Sequence, residues 1–112
     1  MQHVVRTYLE YLEKERNYSS HTIENYGIDL NQFVTFLLSE DVSTFNAVDR
    51  DLLRTFLGRQ LDSGFSRRSL VRKIASLRSF FKFLHRKGIV ESNPSLTLVG
   101  PKRERRLPEV LD

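Results

Sequence analysis

Four times along this chain, apolar residues recur every three to four positions, and each run is bracketed by residues that start or stop a helix. No stretch alternates apolar and polar residues over strand length, so the pattern predicts an all-α fold. The first run is VVRTYLEYLEKERN, where Val4, Val5, Tyr8 and Leu12 share one side and the pattern stops near Asn17. The second is SSHTIENYGIDLNQFVTFLLSED. It opens on Ser19 or Ser20, whose hydroxyl can accept an orphan N–H of the first helical turn. Ile23, Tyr26, Leu30, Phe33, Val34 and Leu37 form its apolar stripe, with Thr22, Asn25, Asp29 and Gln32 away from it. Gly27 costs a helix interior roughly 1 kcal/mol relative to Ala, which close approach of another helix would explain.

The third run, DRDLLRTFLGRQLDSG, has Asp49 as its cap, Leu52, Leu53, Phe56 and Leu57 as its buried side, and Gly64 as its end. The fourth extends from Ser66 to Gly88 as SRRSLVRKIASLRSFFKFLHRKG. At about 100° per residue, Leu70, Ile74, Leu77, Phe81 and Leu84 share a face. Arg72, Ser79, Lys82 and Arg86 point the other way, with Lys73 and Ser76 flanking. Phe83 falls near the polar side, so it packs on an additional element or this helix is buried on more than one side. Beyond Asn93-Pro94 the periodicity fades into SLTLVGPKRERRLPEVLD, which reads as a linker. The expected architecture is a compact all-α four-helix bundle over residues 1–97, followed by a basic C-terminal linker at 98–112. At 112 residues and 39% hydrophobic, one core is affordable.

Charge divides the chain unevenly. The net charge is +4, yet residues 1–62 hold 10 acids and 6 bases, whereas residues 63–112 hold 4 acids and 12 bases. Between Ser66 and Gly88 there are eight Lys or Arg and no acid. Solvated helix faces usually interleave both signs, because like charges four apart repel by a few tenths of a kcal/mol. Arg68 with Arg72, Arg78 with Lys82, and Lys82 with Arg86 all have that spacing. A polyanion would relieve the repulsion, and each neutralised phosphate also releases counterions. Ser66, Ser69, Ser76 and Ser79 interleave with the cations, and their hydroxyls suit phosphate or base-edge contacts. A membrane-bound helix would offer lipid its apolar face, which this bundle needs for its core, so nucleic acid is the expected partner ahead of a plain solvated face, and a membrane is not expected. The rival reading is a helical protein-interaction module whose basic face docks an acidic partner or sister subunits.

Other chemistry finds little footing. There is no cysteine, which excludes disulfides and thiolate sites and is compatible with a reducing cytoplasm. His3, His21 and His85 are isolated, the glycines form no phosphate loop, and no metal, cofactor or small-molecule ligand is expected. Phe80, Phe81 and Phe83 read as packing residues rather than base-stacking platforms.

YSSHTIENYGIDLNQFVTFL together with SRRSLVRKIASLRSFFKFLHRKGIVESNPS resembles the N-terminal, SAM-like core-binding domain of Xer-type tyrosine recombinases. The resemblance is carried by Ser19, Thr22, Tyr26, Asp29 and Leu30 in a Ser-x-x-Thr-x-x-x-Tyr-x-x-Asp-Leu pattern, by the run from Ser76 to Leu84, and by the Asn93-Pro94 exit. It implies a domain that clamps duplex DNA at a recombination site, with two helices crossing the major groove and other recombinase subunits as partners. Carried onto this chain, it implies DNA contacts from Thr22 and Asn25 on the second helix and from Arg68, Ser69, Arg72, Lys73 and Ser76 on the fourth, and Arg67 is expected at DNA with them. Lys102, Arg103, Arg105 and Arg106 of the linker are expected to run along DNA as well. The family's catalytic set of arginines, a lysine, a His-x-x-Arg pair and a nucleophilic Tyr finds no counterpart. His3 to Arg6 matches the spacing by chance, and no Tyr follows Tyr26. A DNA-binding fragment without catalytic residues is therefore expected.

Overall fold

The structure, a computed structural model, describes residues 1–98. It contains helices α1 (Gln2–Lys14), α2 (Ser20–Ser39), α3 (Arg50–Asp62) and α4 (Arg67–Arg86), with a single 3-10 turn at Phe45–Ala47 and no strand among the described residues. Side-chain oxygens open three of the helices as the sequence predicts. Ser19 accepts from the Thr22 N–H, Asp49 from Leu52 and Ser66 from Ser69. Helices α3 and α4 stop just before Gly64 and Gly88, whose φ angles of 101° and 76° lie in the left-handed region that a Cβ disfavours.

Packing follows the apolar stripes. Tyr8 and Leu12 of α1, Leu30, Phe33 and Leu37 of α2, Leu53 and Phe56 of α3, and Leu77, Phe80, Phe81 and Leu84 of α4 are all buried in one core. Phe33 sits at its centre, with the rings of Phe56 and Phe81 edge-on at 5.2 and 6.0 Å. Each such burial stabilises by roughly 1.5–3 kcal/mol before entropy is counted. Gly27 is buried against α1. A Cβ built there would lie 3.3 Å from Leu9 Cδ1, so the missing side chain lets the two helices approach.

Phe83 resolves the ambiguity of the fourth run. It is buried, with its ring 5.3 Å from Tyr8 and 4.9 Å from Tyr11. Helix α4 is thus covered by α1 on one side and by α2 and α3 on another, as its second apolar flank requires. The segment after Asn93-Pro94 also behaves differently from a free linker. Val90, Ser95 and Leu98 are buried, and Arg78 Nη1 donates to the Leu98 carbonyl at 3.1 Å. Glu91 N–H donates to Asn46 Oδ1, and Asn93 Oδ1 accepts from the backbone N–H of Ser95. The packed body therefore continues through Leu98, because an apolar side chain and a satisfied carbonyl hold the return against α4.

Candidate nucleic-acid interface

Thr22, Asn25 and Asp29 stand at i, i+3 and i+7 of α2 and so share one stripe. On α4, Arg68 and Arg72 share another. Asp29 joins the two. Its Oδ2 accepts from Arg72 Nε at 3.1 Å and its Oδ1 from Arg72 Nη2 at 2.7 Å, a side-on bidentate pair. Oδ1 also accepts from Lys73 Nζ at 3.1 Å, and Ser76 Oγ lies 3.5 Å from Oδ2. Lys73 Nζ donates further to Gln32 Oε1 and sits 4.4 Å from the Phe65 ring centroid. Hydrogen bonding to Asp29 raises the Arg72 pKa still further, so the guanidinium is permanently charged.

This arrangement corrects the sequence reading in two places. Lys73 and Ser76 were expected at DNA, but they are 1% and 0% exposed. They face inward because α2 and the Phe65 ring cover the flank of α4 on which they stand. Asp29, expected on the polar side of α2, is buried at 3% as their common acceptor. The cations of α4 are accordingly not all uncompensated. Arg72 and Lys73 share a carboxylate, Arg78 holds the Leu98 carbonyl, and Arg86 Nη2 donates to Tyr11 Oη at 2.7 Å. Hydrogen bonds from Arg16 and Arg86 lower the Tyr11 pKa in turn.

The other expected contact residues remain accessible. Arg67 and Arg68 are exposed in the first turn of α4, a turn that itself contains no acidic residue. The partial positive charge of a helix N-terminus disfavours cations there by about 0.3–1 kcal/mol each. Ser69 is half-buried, its N–H taken by the Ser66 cap. Thr22 and Asn25 are half-buried at the start of α2, with Asn25 Nδ2 3.3 Å from His21 Nε2. Arg72 keeps 41% of its side chain exposed beside them. Lys102, Arg103, Arg105 and Arg106 lie outside the described residues. Two cations and one carboxylate leave the Asp29 cluster formally positive, and exposed Arg68 adds to that sign. Phe80, Phe81 and Phe83 are buried and hence packing residues. Among the described residues there is no group of acids and histidines able to hold a metal ion, and no helix long and apolar enough to cross a membrane.

Residues 5–88 match the family model for the phage integrase N-terminal SAM-like domain. The chain belongs to that family. The curated relatives of this SAM-like domain agree. It is 40% identical over 107 residues to the tyrosine recombinase XerC of Bacillus subtilis, covering 96% of this chain and 35% of the relative. It is 44% identical over 110 residues to the protein of the same name from Pelobacter propionicus, covering 96% and 36%. With that from Pseudomonas savastanoi it shares 39% identity over 112 residues, covering 100% and 38%. The SAM-like domain thus spans little more than a third of the length of these relatives. No solved structure matches it.

Asp29 was present in the sequence pattern but carried no predicted role. The available signal was its neighbourhood: it is a lone acid between Gly27-Ile28 and Leu30, in the middle of a helix whose partner helix is wholly basic.

Proposed function

We propose that this domain binds duplex DNA through the face formed by the starts of α2 and α4, and that it serves a site-specific tyrosine recombinase by gripping the recombination site. The observation that carries the reading is the junction of the two stripes: Asp29, on the Thr22–Asn25 stripe of α2, pairs with exposed Arg72, which shares its stripe of α4 with exposed Arg68. That combination supplies cations for phosphates and short polar side chains for groove edges on one continuous surface. The relatives' name, tyrosine recombinase, fits a DNA-gripping role for this domain within a longer protein. In this reading the strand-cleaving chemistry belongs to another domain, other recombinase subunits are the protein partners, and the basic residues Lys102, Arg103, Arg105 and Arg106 contact the DNA backbone.

The test is a salt titration of binding to a labelled duplex. DNA binding predicts a steep linear fall of log affinity with log salt, with a slope near −0.9 per phosphate neutralised. The double substitution Arg67→Ala with Arg68→Ala weakens binding and reduces that slope, while circular dichroism stays helical. Binding that ignores salt, or is unchanged in this variant, removes the assignment of the face. A domain that ignores duplex but associates with itself favours the protein-interaction module instead.

A further inference from the structure

Arg72 offers five N–H groups, and Asp29 takes two of them, both from the Nε/Nη2 edge. The opposite edge, Nη1 with the second N–H of Nη2, is left as a parallel pair of donors on a side chain that is 41% exposed. An unsupported arginine on a helix surface samples many rotamers and must be ordered when it binds. This one is held at its planar head by a carboxylate that is itself 3% exposed and fixed by Lys73 and Ser76. Lys73 cannot be the binding cation, since it is 1% exposed and spent on Asp29 and Gln32. Its place is to keep the carboxylate where Arg72 needs it.

We propose that Asp29 is a positioning residue that presents the outer edge of Arg72 to DNA as a fixed two-donor fork, matched to a pair of acceptors on a guanine edge or on a phosphate. This rests on the DNA-binding reading above and adds to it a division of labour: Arg72 touches the nucleic acid, while Asp29, Lys73 and Ser76 aim it. Ordering a flexible side chain in advance strengthens binding by about three- to tenfold. Both acceptor sources require the same planar pair, and a lysine, a point charge on a flexible stem, does not supply it.

The experiment measures binding of the chain to a randomised duplex library, with sequencing of the bound fraction and direct titration of total binding. Single Asp29 variants leave Lys73 buried and unpaired, so Asp29→Asn is combined with Lys73→Met, which removes both charges at nearly constant volume. The pair is made with Arg72 present and again with Arg72→Ala, each checked for helical content. The expected result is a three- to tenfold loss with Arg72 present and no further loss when Arg72 is already Ala. Equal losses in both backgrounds mean a structural role only and overturn the proposal, as does no loss where Arg72→Ala alone weakens binding. Arg72→Lys keeps the ion pair with Asp29 and serves as an independent variant. It is expected to bind nearly as weakly as Arg72→Ala, and wild-type binding by it refutes the fork. A loss confined to one base pair assigns a guanine edge, and a uniform loss assigns a phosphate. Salt-dependent binding that responds to Arg67 and Arg68 but shows no Asp29–Arg72 coupling defeats this inference alone. Absence of salt-dependent binding by the wild-type chain defeats both readings.

Discussion

Asp29→Asn is the substitution whose consequence the structure constrains most tightly. The change keeps the shape and removes the charge, leaving the Lys73 ammonium at 1% exposure without its carboxylate. Losing one member of a buried ion pair costs about 3–5 kcal/mol, because the remaining charge is desolvated and unpaired. Two contacts soften that figure. Lys73 Nζ still donates to Gln32 Oε1 and still sits over the Phe65 ring. The Arg72 arm adds at most about 1 kcal/mol, since its guanidinium remains in contact with water. The expected loss is therefore about 3 kcal/mol. In a domain this size each kcal/mol lowers Tm by about 4–8 °C, so a fall of about 12–24 °C follows. Urea unfolding followed by circular dichroism measures the free energy directly, with an unchanged m-value confirming that only stability moved. Adding Lys73→Met in the same chain restores most of the loss, because the orphaned charge goes with it. A cost below about 1 kcal/mol for Asp29→Asn, or no recovery on adding Lys73→Met, would refute the reasoning that Lys73 is a buried cation dependent on this carboxylate.

Two further predictions concern the seam between α1 and its neighbours. Gly27→Leu forces a side chain into the space where even a Cβ lies 3.3 Å from Leu9, and should destabilise by about 1–3 kcal/mol in the same urea assay. Burial pushes the Tyr8 hydroxyl well above the ordinary tyrosine value of about 10, while Tyr11 is lowered by Arg16 and Arg86. Below that ordinary value Tyr8 is protonated in both states and its contribution is intact. As pH rises past it the unfolded chain ionises first, so stability falls into the alkaline range. Absorbance titration of the phenolates should show Tyr11 ionising ahead of Tyr8, and Tyr8→Phe should flatten the alkaline loss of stability, at the expense of the hydrogen bond to Ser79.

Much of the fold was legible before any coordinates. Capping residues at Ser19 or Ser20, Asp49 and Ser66 placed the starts of three helices, and glycines at 64 and 88 the ends of two, to within about two residues, because these signals act through the local backbone alone. Gly27 announced a close helix approach, and Phe83 announced either an additional packed element or a second covered flank, each as a departure from its own helix's pattern. The 3-10 turn at Phe45–Ala47 and the return through Leu98 carried no periodic signal and were not foreseen, since both depend on contacts with distant segments.

What the sequence determined by itself is the set of helices, their apolar stripes and the excess of cations on α4, since periodicity orders side chains about a helix's own axis. Only the tertiary structure decided which of those cations meet water. Thr22 and Asn25 stay accessible while Asp29, one turn further on, is buried, and Arg72 keeps an open edge while Lys73 beside it has none. The angular position of a flanking residue is a property of one helix, but its burial and its counter-charge belong to whichever helix packs across it. Here α2 brings one carboxylate against the flank of α4 and so divides like cations into one that is buried and one that keeps an exposed edge.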